Sequence, residues 1–171
     1  MKRCSRISKG ANRSFVKQEK KLSLDVVHFF HRQGFIIVST VDENGYPHNS
    51  CKGLVHIDED GLVYLIDLYR GSTYRNLERD PHISITAVDE HKFRGYSLKG
   101  TSKMVPEKKI KSHIIKEWES RITSRVSRRV LKELRGGEEQ ARYPEILLPK
   151  PEYMIVMKVE DVIDLTPRPL K

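Results

Sequence analysis

Long apolar runs are missing from this sequence, and cysteine and tryptophan are scarce. No stretch stays apolar for the roughly 18 residues that a membrane span needs, and the basic N-terminus lacks the apolar core of a signal peptide. A cytoplasmic protein with no membrane partner is expected. Cysteine stands only at Cys4 and Cys51, which excludes a disulfide framework and a cysteine-based zinc motif. Neither GxxxxGKS/T nor GxGxxG occurs, so the fixed-spacing phosphate loops are absent. No Asp/His/Ser constellation suggests hydrolysis, and there is no internal repeat or low-complexity block.

Positive charge is what the chain has in excess. Across 171 residues Lys and Arg outnumber Asp and Glu by 32 to 23, a net charge of +9. An anionic partner follows: a phosphate-bearing cofactor, a nucleic acid or an acidic surface. The apolar fraction of 37% is enough for one domain with a real core. The charge is concentrated twice. Residues 1–21 form a basic arm in which Lys2, Arg3, Arg6, Lys9, Arg13, Lys17, Lys20 and Lys21 face only Glu19. A loosely docked tail is the simpler reading. A nucleic-acid grip is the less favoured one, because no stacking pattern or nucleic-acid motif accompanies the charge. The second concentration, Arg121, Arg125, Arg128, Arg129, Lys132 and Arg135, reads by default as a solvated helix face.

The chain is organised around Phe35–Glu78, where short β-branched runs alternate with turns. Phe35–Val41, His48–Ile57 and Leu62–Leu68 are separated by Asp42-Glu43-Asn44-Gly45 and Asp58-Glu59-Asp60-Gly61. Each turn ends in a Gly that can take positive φ, so a β-meander is predicted. The first run is apolar almost throughout, which suits a strand buried in a barrel. Further strands are expected over His82–Val88, Tyr96–Val105 and Tyr153–Val159, the last extended or followed by Val162–Leu165.

Helices frame this meander. Ser23 is a good N-cap for Leu24–Gln33, and Gly34 a good stop. His28 and His31 share a face of that helix but have no further ligands at a telling spacing, so no metal site is expected. Asn76–Asp80 closes a helical turn, and Pro81 ends it. Pro106–Arg135 is predicted helical up to Gly136-Gly137. Its apolar residues recur every fourth position, which overshoots a 3.6-residue turn, so a break near Ser120–Ser124 is expected. Trp118 is assigned to core or interface, with cofactor cover as the alternative. An irregular linker follows over Gly136–Pro151.

After the third run comes Arg70-Gly71-Ser72-Thr73-Tyr74-Arg75-Asn76. Two guanidinium groups, two hydroxyls and the start of a helical turn match phosphate oxygens. A polar loop with solvated arginines is the plainer reading on composition alone. Within the second run, Ser50-Cys51-Lys52-Gly53 breaks the apolar pattern, as strands do where a ligand or another backbone comes close. Cys51 as a lone thiol reads as a small buried hydrophobe.

These pieces together resemble a known family. Thr40-Val41-Asp42-Glu43-Asn44-Gly45-Tyr46-Pro47-His48 and Asn76-Leu77-Glu78-Arg79-Asp80-Pro81, with the later Gly-Tyr-Ser-Leu-Lys-Gly strand, look like the pyridoxamine 5'-phosphate oxidase-like FMN-binding split barrels. The match runs over about Leu24–Val105, with the last strand completing it. The resemblance implies a mainly β fold with flanking helices: a six-stranded antiparallel split barrel over residues 22–171, with a helical insertion near 106–135. It implies a homodimer with FMN at the subunit interface and flavin-mediated hydride or electron transfer to an unidentified small substrate. Ser50, Cys51 and Lys52 would lie along the flavin ring and ribityl chain, and Leu65, Ile66 and Asp67 would pass beneath it. Arg70, Ser72, Thr73 and Arg75 would hold the phosphate. Many relatives carry Lys or Arg where this chain has Ser72 or Thr73, so Arg70 or Arg75 must supply that charge. Lys52 stands either near the electron-poor end of the ring or simply facing solvent. The chain ends in Thr166-Pro167-Arg168-Pro169, without the Arg-rich substrate motif of true pyridoxamine 5'-phosphate oxidases, so vitamin B6 oxidation is not expected. The alternative class is a non-catalytic binder of flavin, deazaflavin or haem, or a basic nucleic-acid module.

Overall fold

The computed structural model describes residues 21–134 and 149–170. Most of the basic arm, Cys4, Arg135, the Gly136-Gly137 stop and most of the linker lie outside the described residues. One turn design is used twice. Asp42 accepts from the amides of Asn44 and Tyr46 at 2.9 and 2.8 Å, and Asp58 accepts from the amide of Leu62 at 2.9 Å. Gly45 and Gly61 close the two turns at φ +84° and +79°, a conformation glycine adopts without penalty. The first turn joins β1 (Ile36–Val41) to β2 (Pro47–Lys52), and the second joins β3 (Leu54–Ile57) to β4 (Leu62–Asp67). β5 (His82–Asp89), β6 (Arg94–Pro106) and β7 (Tyr153–Asp164) complete one antiparallel sheet in the order β2-β1-β5-β6-β7-β4-β3.

The strand count is seven rather than six, because the run His48–Ile57 divides at Gly53. Its first half pairs with β1 and its second half with β4. β2 and β3 are therefore the two edges of the sheet, yet one residue joins them. The sheet must curl until its edges nearly meet, which is the split barrel.

The barrel is filled by side chains that are fully buried: Val38, Ile57, Val63, Leu65, Ile85, Leu98, Ile155 and Met157. α1 (Leu24–Arg32) lays Val26, Val27, Phe29 and Phe30 against this core. Ser23 Oγ caps it by accepting from the Val26 amide at 3.4 Å. β1 is buried on its barrel face alone. Its inner residues are buried, but Ile37 and Val41 are 44% and 42% exposed. Nothing among the described residues covers that outer face.

α2 spans Ser72–Arg79, so the polar stretch after β4 is helical from Ser72 on. Asn76 Nδ2 donates to Thr40 Oγ1 at 3.0 Å, and both are buried, which fixes α2 to β1. α3 (Ser112–Leu134) is unbroken, against the expected break near Ser120–Ser124. Only its N-terminal half packs apolar residues: Ile114, with Ile115 and Trp118, meets Val55, Ile66 and Met154 on the outside of the barrel. Beyond that point Arg121 and Arg125 fasten it to α1 through hydrogen bonds, so the drifting apolar stripe never has to stay on one line. The insertion is thus a strand end, a short 3₁₀ turn at Glu107–Lys109 and one helix.

β6 and β7 pair over most of their length, with a bulge between Lys99 and Gly100. A Cβ at Gly100 would lie 1.9 Å from the Lys158 carbonyl oxygen, so only glycine fits there.

Candidate functional site

The sequence-nominated residues meet where β2, β4 and α2 converge. α2 opens at Gly71, which has no side chain to cap it, and the first intrahelical bond runs from the Arg75 amide to the Gly71 carbonyl at 3.2 Å. The amides of Ser72, Thr73 and Tyr74 therefore have no partner within the helix. A helix start with unpaired amides and a favourable dipole suits an anionic group. Ser72 Oγ accepts from Arg75 Nη2 at 3.1 Å, which holds this guanidinium over the same turn. Arg70 lies 5.2 Å from the Tyr74 ring centroid and 3.5 Å from a Glu152 carboxylate oxygen. Arg75 and Arg70 are both exposed. These donors fit a phosphate.

Ser50 and Thr73 share a hydrogen bond of 3.1 Å between their hydroxyls, which ties β2 to the helix start. Thr73 is buried, so its hydroxyl is committed to Ser50 while its amide remains at the helix opening. One turn of strand further, Lys52 is neither solvent-facing nor a free charge. Its ammonium pairs with Asp67, and the two side chains are only 9% and 12% exposed. Tyr153 donates from its hydroxyl to the same Asp67 oxygen at 2.5 Å. Burial, and then that hydrogen bond, push the Tyr153 hydroxyl far above its ordinary range, so it stays protonated. Because Asp67 compensates Lys52, what this lysine offers a ligand is N–H donation rather than net charge.

The remaining nominated residues fall elsewhere. Leu65 is part of the barrel core and Ile66 packs in the cluster beneath α3. Their side chains hold in place the strand that carries Asp67. Cys51 is exposed on the outer face of β2 and not a buried hydrophobe, because strand alternation turns it away from Ser50 and Lys52. Tyr153 was read only as the start of a strand. A tyrosine opening an otherwise aliphatic run was the available signal, since a buried hydroxyl needs a partner.

The outer face of the sheet carries a groove of about 330 Å³ lined by Ser39, Val41, Pro47, Ser84 and Lys99. Strand register places Ile37, Ser39 and Val41 of β1 beside Cys51, Asn49 and Pro47 of β2. Ser39 donates to Asn49 at 2.7 Å, and Ser84 and Thr86 both bond Ser97 at 3.0 Å. This face is small-residued and partly apolar. No helix among the described residues is long and apolar enough to cross a membrane.

Comparison with known proteins bears on this arrangement. Residues 24–158 match the family model described as pyridoxamine 5'-phosphate oxidase. The pyridoxine/pyridoxamine 5'-phosphate oxidase of Citrobacter koseri is 26% identical over 126 residues, which is 69% of this chain and 57% of that protein. The Escherichia fergusonii counterpart is 25% identical over the same length. The chain thus spans 57% of the length of these curated relatives. Among solved structures, Group A Streptococcus HupZ superposes with a TM-score of 0.57 at 18% identity, over 85% of this chain and 94% of that one. A Clostridium acetobutylicum protein related to general stress protein 26 gives 0.53 at 17% identity, over 86% and 95%. At such identities the structural likeness speaks for the fold.

Proposed function

This chain belongs to the pyridoxamine 5'-phosphate oxidase family, and from that premise we propose that it is an FMN-dependent oxidoreductase working as a homodimer. The observation that carries the reading is the uncapped opening of α2, where unpaired amides, Ser72 and Arg75 converge beside Ser50. Arg75 and the helix amides would hold the FMN phosphate, with Arg70 contributing charge from its place above Tyr74. Lys52, oriented by Asp67, would donate a hydrogen bond toward the flavin ring, and the Asp67–Tyr153 bond keeps that lysine from swinging away. When bound, FMN supplies hydride or electron transfer, and the protein binds and orients it. The electron acceptor or donor is a small molecule.

The dimer is supported by β1. Its run of apolar residues makes sense for a strand covered on both sides, and the outer side, with Ile37, Val41 and the neighbouring groove, is the one left open. A second copy seated there would lie against Ile37 and Val41 of β1 and the outward residues Pro47, Asn49 and Cys51 of β2.

The test is a visible absorption spectrum of the freshly purified protein, with release and identification of any chromophore, followed by anaerobic addition of NADH or NADPH. Released FMN that bleaches with a reduced nicotinamide supports the oxidoreductase. Protein that is colourless and takes up no added FMN overturns the reading. Bound flavin that no donor reduces leaves a flavin binder without the enzyme.

A further inference from the structure

A second site stands apart from the α2 opening, between the C-terminal end of α1 and the middle of α3. It is a cleft of about 610 Å³ whose lining includes Arg32, Arg121, Arg125 and Arg128, and no carboxylate. That volume falls within the range of small-molecule sites. Arg121 has its counter-ion in Glu117, 3.7 Å away and one turn earlier on α3, and the gathering of the four arginines needs an account.

Packing explains half of it. Arg121 Nη2 donates to His31 Nδ1 at 2.8 Å, and Arg125 Nη2 donates to the Gly34 carbonyl. These two arginines fasten α3 to the end of α1. Arg32 and Arg128 do no such work. Both are exposed, and Arg128 Nε donates to the Ser124 carbonyl of its own helix at 3.2 Å. At the mouth of the cleft stands Phe35, a large aromatic that is 59% exposed. The Arg125 guanidinium covers one face of its ring, 4.9 Å from the centroid. Guanidinium forks suit phosphate oxygens, and an open aromatic face beside them suits a base.

We propose that this cleft binds a nucleotide unit, with its phosphates on Arg32 and Arg128 and its base against Phe35. The unit belongs either to a free nucleotide or to a single-stranded nucleic acid, and both present the same chemistry. The site is separate from the one proposed for FMN and does not depend on it.

Two ligands separate the sources: ADP by calorimetry, and a short fluorescein-labelled oligouridylate by anisotropy, both on the full chain at near-physiological salt. Binding of ADP with no gain for the oligonucleotide assigns a free nucleotide, and the reverse ranking assigns a strand. In either case the double variant Arg32→Glu/Arg128→Glu should bind about 10-fold or more weakly while folding normally, since both side chains are exposed. For the strand, losing two phosphate contacts should flatten the slope of log K against log salt by about 1.4, at ~0.7 per phosphate. Phe35→Ala should weaken both ligands but leave inorganic phosphate affinity unchanged. The proposal fails if neither ligand binds the wild-type chain, or if the double variant binds as well as wild type. It also fails if that variant loses bound flavin in parallel, which would make the cleft part of the cofactor site.

Discussion

Asp67 is the residue on which the candidate site turns. It accepts from Lys52 and from Tyr153 in a place where water scarcely reaches. Removing one partner of such a pair leaves the other charge buried and unmatched, so Asp67→Ala should destabilise the fold by about 3–5 kcal/mol in urea unfolding. Replacing both charges, as Lys52→Met/Asp67→Leu, should cost far less, because a desolvated pair gains little over apolar side chains of similar size. If the double variant is as unstable as the single one, Asp67 acts through something other than Lys52. The sequence nominated Lys52 and Asp67 separately, as ring contacts. It could not show that they neutralise each other, since fifteen residues of chain separate them and only the closing of the barrel makes them neighbours.

At the scale of elements, α1 and α3 are clasped by His31. Its Nδ1 accepts from Arg121 while its Nε2 faces the Ile57 carbonyl at 3.1 Å, an arrangement that only the neutral ring satisfies on both sides. Burial first, then Arg121 and, less strongly, His56, hold its pKa below the ordinary 6.5, against the opposing pulls of the Ile57 carbonyl and Glu117. The unfolded chain therefore takes up this proton first. The stabilisation from His31 is complete above pH 6.5 and is lost as pH falls through the folded value. Denaturant midpoints should fall as pH is lowered below 6.5 in the wild type and fall less in His31→Gln. The β6–β7 bulge gives a second prediction. Gly100→Ala should cost about 2 kcal/mol or more in thermal unfolding, since its methyl group would meet the Lys158 carbonyl and not a yielding side chain. The sequence announced both Asp/Gly turns and the cap at Ser23, because local chemistry decides those. It hid the length of α2 and the continuity of α3. Ser72 and Thr73 are ordinary loop residues until β2 approaches, and Arg121 holds α3 only where α1 ends.

For the whole molecule, the question is what covers β1. If the outer face is the dimer contact, Val41→Glu places a charge in the middle of it, and light scattering should report a monomer where the wild type gives a dimer. A wild-type monomer, or a variant that stays dimeric, would move the interface elsewhere. The β-meander was legible in the turns and β-branched runs, and the barrel in the resemblance to the split-barrel family. The number of strands was not, since Gly53 looks like an interruption within one strand and is in fact the seam between two edges.

The sheet order also says something about how the chain is made. β7 is the last strand in sequence, yet it lies between β6 and β4 and pairs with both. While a ribosome is still extending the chain beyond β6, at roughly 5–20 residues per second, the two finished halves have no common partner. Each waits with an unpaired strand edge, the feature most prone to join a neighbouring chain. The emergence of β7, and not the formation of either hairpin, is then the moment at which this barrel becomes a single folded body.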